Sequence, residues 1–81
     1  MAFRITSTIS RSPIRGNVNE YICSEEADID KLPRVGVPGT QTDANSKTDN
    51  APCWYGSIAI LCTGNNTTVY TLTPNNVWTK M

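Results

Sequence analysis

Apolar and polar residues alternate with a period of two over several short stretches. In FRITSTI, Phe3, Ile5 and Ile9 fall on one face, interrupted by Ser7, with Arg4, Thr6 and Thr8 on the other. That is the pattern of a half-buried strand. NEYIC adds a second short strand through Tyr21, Ile22 and Cys23. In SIAILC, Ile58, Ile60 and Cys62 alternate with Ala59 and Leu61, so both faces are apolar, which predicts a central strand buried on two sides. TTVYTLT sets Tyr70 and Leu72 against Val69, Thr71 and Thr73, and VWTKM closes with Trp78. TGNN and PNN separate these last three strands, and Gly and Asn tolerate the positive φ that tight turns require.

The intervening chain breaks the period. SRSPIRGN, with Pro13 and Gly16, reads as a turn or extended arm. SEEADIDKLP predicts one helical turn: Ser24 caps it, Glu25 and Glu26 suit its positive end, and Pro33 forbids continuation beyond Leu32. Ile29 and Leu32 would pin that turn inward. From Pro33 to Pro52 no usable period exists, and GVPGT reads as a turn. Unpatterned segments of this length are functional or disordered in compact domains, so this one is expected to be loose or held from outside the domain.

The fold expected is therefore mainly β: a small antiparallel meander of the three C-terminal strands, plus N-terminal strand, one helical turn and a long loop. Residues 1–81 make one domain: 1–19 strand and arm, 20–33 strand and helical turn, 34–54 extended loop, 55–81 β meander. Length limits its stability. With 81 residues, 38% of them apolar, and five glycines and five prolines, the core is marginal. A three-stranded meander stands only if one face is covered. The chain is accordingly expected to borrow burial from other subunits and to form homo-oligomers.

Seven Lys and Arg balance seven Asp and Glu, without two adjacent basic residues, so nucleic acid is not an expected partner. MAFRITSTIS turns polar by its fourth residue, which argues against a signal peptide, and no segment is apolar enough to span a membrane. The absence of histidine removes the usual general base, the Ser-His and Cys-His nucleophile pairs and the commonest metal ligand. Glu25, Glu26, Asp28 and Asp30 lack the calcium-loop pattern and read as a capped, solvated turn. Cys23, Cys53 and Cys62 form no C-x-x-C pair and read as reduced small hydrophobes, the other reading being a disulfide across subunits. The sequons at Asn65 and Asn66 read as hairpin residues. No enzyme activity, cofactor or metal is expected.

Aromatic residues near turns serve as sugar-stacking platforms, as interface anchors or as core. Tyr70 and Trp78 are assigned to the core, because so small a sheet needs their area. The residues expected to contact a partner are Trp54, Tyr55 and the adjoining Cys53 at the end of the long loop, with Val35 and Val37 at its start.

EADIDKLP, GSIAILC and VYTLTPNNVW together resemble short virion proteins of tailed bacteriophages, which carry D-x-x-x-L-P, then G-S-x-A, a Tyr-x-Leu strand and a terminal Trp strand. The matching residues are Asp28, Leu32 and Pro33; Gly56, Ser57 and Ala59; Tyr70 and Leu72; and Trp78. The resemblance spans residues 21–81 and implies an assembly role in the virion, on major capsid or other virion proteins. A capsid decoration or minor capsid subunit is the reading adopted. Neck, collar, tail or fibre components are the same-class alternative, and a small carbohydrate-binding module with Trp54, Tyr55 and Trp78 as stacking surfaces is the alternative from another class.

Overall fold

Five strands form one mixed sheet in the computed structural model, which describes residues 3–9, 17–40 and 50–81. β1 (Arg4–Ile9), β2 (Val18–Cys23), β3 (Ile58–Thr63), β4 (Asn66–Leu72) and β5 (Trp78–Lys80) lie side by side in chain order. The protein is mainly β, and its C-terminal half is the antiparallel meander that the alternation predicts. Gly64 and Asn65 make the β3–β4 hairpin loop, where Gly64 has φ 54° while Asn65 stays negative, the arrangement of a type II′ turn. At the other turn Asn76 itself takes φ 63°.

β2 and β3 pair in parallel, with Tyr21 opposite Ala59 and Cys23 opposite Leu61. A parallel step cannot be made by a hairpin; the chain must leave the sheet and return over one of its faces. That requirement sets the use of the middle segment. The 3-10 turn Glu26–Lys31 lies against β2 and β3, and Ile29 and Leu32 enter the core as expected. Glu25, one residue later than the cap expected at Ser24, is the N-cap, because the Asp28 carboxylate reaches back to accept its N–H at 3.3 Å. Leu32 is extended at ψ 149°, as the residue before a proline must be, and the turn stops there.

Beyond the turn the described parts of the connection, residues 33–40 and 50–57, are tied to their own domain rather than loose or held from outside. The Pro33 carbonyl accepts the Trp78 indole N–H at 3.0 Å and the Cys53 thiol at 3.4 Å. Arg34 and Val37 exchange backbone hydrogen bonds at 2.9 and 3.1 Å around Gly36, whose φ is 72°. Gly39 donates to Asn50, Thr40 to Lys31, Cys53 to Arg34 and Trp54 to Asn17. Backbone polar groups explain this: a segment without apolar period can still cover a sheet if its N–H and C=O groups find partners. Residues 41–49, and the arm at 10–16, lie outside the described residues.

The covered face carries one core: Phe3, Tyr21, Cys23, Ile29, Leu32, Cys53, Ala59, Leu61, Leu72 and Trp78, with Ile5, Val35, Tyr55 and Tyr70 packed against it. Phe3, Tyr21 and Trp78 stack edge to face in series, with ring centroids 5.4 and 6.0 Å apart. Ser57 joins strand to crossover. Its buried hydroxyl accepts the Asn19 N–H at 3.1 Å and donates to the Trp54 carbonyl at 2.8 Å. In β1 the register shifts between Ile5 and Ser7, so Ile5 pairs with Tyr21 while Ile9 pairs with Val18. The single face expected to hold Phe3, Ile5 and Ile9 is therefore broken by a bulge, which sets Ile9 in register with the side opposite to Ile5.

Candidate interaction surface

Among the described residues the crossover covers one face of the sheet. Register then dictates what the other shows, since paired residues project to the same side of a sheet. Ile22 of β2, Ile60 of β3 and Val69 of β4 form one row, with Arg4 of β1 beside Ile22. Glu20, Ile58, Thr71 and Thr79 form the next. Ile22 is 39% exposed, Ile58, Ile60 and Val69 are partly exposed, and Cys62 is exposed. β3 is thus the middle strand, as expected, yet only its Ala59 and Leu61 side is buried, which corrects the expectation of burial on both faces. Contiguous apolar patches on small domains are candidates for contact surfaces. The two charges beside this one, Arg4 and Glu20, both lie on the β1–β2 side, and Glu20 Oε1 accepts the Thr6 hydroxyl at 2.6 Å.

The five residues expected to touch partners separate in the fold. Cys53 is 1% exposed and belongs to the core, which removes it from any contact surface. Val35 is half-buried and held at both backbone groups by Asn76, whose Oδ1 accepts the Val35 N–H at 2.9 Å while Nδ2 donates to its carbonyl at 3.3 Å. Val37 is exposed on the turn around Gly36. Trp54 and Tyr55 are half-exposed, with ring centroids 4.8 Å apart and planes tilted by 50°. The row through Ile22, Ile60 and Val69 was not among the expected contact residues. Its one sequence signal was the apolar character of both faces of SIAILC, which equally describes a doubly buried strand.

Asp28, assigned to a solvated turn, is fully buried. Lys31 Nζ stands 4.0 Å from its Oδ1. Burial, with the carboxylate of Asp28 and then Cys62 nearby, pushes the Cys23 thiol up to about 12, and burial raises Cys53 as well. Both thiols are therefore neutral at ordinary pH, and a neutral buried thiol is a poor nucleophile and ligand. All three cysteines are unpaired. Among the described residues no three His, Cys, Asp or Glu side chains converge as metal ligands, and no helix is long and apolar enough to cross a membrane.

No family model matches the chain, and comparison with curated proteins and with solved structures returned no match. The residues that carry the resemblance to phage virion proteins occupy structural positions. Asp28, Leu32, Pro33, Ser57, Ala59, Leu72 and Trp78 are buried, Tyr70 packs against the core, and Gly56 takes φ 89° where β3 begins. They specify how the crossover seats on the sheet, and the apolar outer face is a separate feature.

Proposed function

We propose that this protein is a non-enzymatic structural subunit of a tailed-bacteriophage particle, bound to the capsid as a decoration or minor capsid protein. The observation that carries an assembly role is the outer face of the sheet, where Ile22, exposed, and Ile58, Ile60 and Val69, partly exposed, adjoin across three strands. Covering such a surface is favourable by about 25 cal/mol per Å² of apolar area. Repetition on a symmetric shell makes modest single contacts add up. The resemblance of Asp28 to Pro33, Gly56 to Ala59, Tyr70 to Leu72 and Trp78 supports the phage setting. Trp78, one of the three stacking residues of the carbohydrate-binding alternative, is 7% exposed and part of the core, so that alternative loses one of its surfaces.

The test is the composition of particles purified from cells producing the phage that encodes this chain. Quantitative mass spectrometry is expected to find the chain in the particle, in a fixed ratio to the major capsid protein. Particles of that phage that contain none of the chain would overturn the reading.

A further inference from the structure

We propose that the outer face is covered by the same face of a second copy of this chain, through a two-fold axis running along β3. The inference names the partner of the surface that carries the proposed function, and it rests on that reading only for its setting. Three observations select a second copy. First, β3 is the middle of five strands, so an axis along it leaves the sheet centred on itself; an axis crossing β3 at Ile60 does so too, but sets Arg4 against its own copy. Residues of β3 then face their own counterparts, Ile58, Ile60 and Cys62 each across the axis, while Ile22 of one copy meets Val69 of the other. The central row thus becomes apolar against apolar throughout, the self-complementarity that an isologous contact requires.

Second, the charges do not collide. Arg4 and Glu20 lie on the β1–β2 side, so the axis sets them against the β4–β5 side, where the paired positions are Val69, Thr71 and Thr79. No like charges meet among the described residues of the face. Third, the area is that of a weak contact. Four strands of six or seven residues and one of three, about 4.8 Å apart, present a footprint below about 480 Å². That falls short of the roughly 800 Å² per partner of standard complexes, so the dimer is expected to exchange with monomer. Two such sheets pack about 10 Å apart, twisted by about 30° about Ile60.

Cys62 supplies the readout. It is the exposed cysteine, two residues along β3 from Ile60, and the axis brings it opposite its own copy. Sedimentation of the full chain is expected to show a monomer–dimer equilibrium, and a short bis-maleimide is expected to join two chains through Cys62. Ile22→Lys and Ile60→Lys, both at surface positions, are expected to abolish the dimer and the crosslink. Cys62 in each variant should keep its reactivity towards a simple maleimide, and circular dichroism should keep its shape. A chain monomeric at all concentrations, or a dimer that survives both lysines, overturns the inference. So does a crosslink that persists in both. A monomer that still enters purified particles would leave the proposed function standing; a dimer absent from particles would do the reverse.

Discussion

The indole N–H of Trp78 donates to the carbonyl oxygen of Pro33 at 3.0 Å, across 45 residues of chain. One residue belongs to the last strand and the other to the start of the crossover, so this bond latches the connection over the core. Burial of both partners excludes the water that would otherwise replace either one.

Trp78→Phe keeps most of the apolar area and removes the donor. Because the Pro33 carbonyl retains the Cys53 thiol, the cost is expected at about 1–2 kcal/mol in urea unfolding. Trp78→Ala, which also empties the site, is expected to cost about 3–5 kcal/mol. A Trp78→Phe variant as stable as the unaltered chain would show that the latch contributes nothing.

Asn76 combines a positive φ with a two-point hold on Val35. Asn76→Gly keeps the backbone at ease and loses only the hold, whereas Asn76→Ala loses both. The alanine variant should be the less stable by about 1 kcal/mol. Hydrogen exchange of the Val35 amide should accelerate in both, and an unchanged rate would contradict the hold.

Gly39 lies where a Cβ would come within 2.7 Å of Phe3 Cζ and 2.9 Å of Pro33 Cδ. Gly39→Ala is therefore expected to destabilise by about 1–3 kcal/mol through overpacking. Gly36→Ala meets no neighbour, and its cost is that of φ 72° alone, about 1 kcal/mol. A thermal melt of the pair should rank Gly39→Ala lower.

The thiols link stability to alkaline pH. Folded Cys23 keeps its proton to about pH 12, whereas an unfolded cysteine releases it near 8.5 to 9. Below that range both states hold the proton and nothing is lost. Above it the unfolded state binds fewer protons, so stability falls as pH rises, by about 1.4 kcal/mol per pH unit for each such thiol. Cys53 adds in the same direction. Cys23→Ala should flatten the slope between pH 9 and 11, at a fixed cost in stability at pH 7, and a slope identical to that of the unaltered chain would refute the assignment.

The strands, both turns of the meander and the stop at Pro33 could be read from residues close together in the chain. Alternation at Ile58 to Cys62, Gly64 in the hairpin, the proline after Leu32 and the bulk of Trp78 each act locally, and the structure places all four accordingly. The candidate surface could not be read this way, because an apolar residue looks the same whether its own chain or another covers it. Ile60 and Leu61 are neighbours of similar character, yet Leu61 is buried and Ile60 is left half-open.

Tertiary structure alone decided the rest. The parallel pairing of Tyr21 with Ala59 sent the connection over one face; that choice buried Cys53 and Asp28 and left the row of Ile22, Ile60 and Val69 partly exposed on the other. Periodicity fixes which side chains share a side of a strand. Which side receives the crossover depends on pairing between segments distant in the chain, and only the folded sheet brings those segments together.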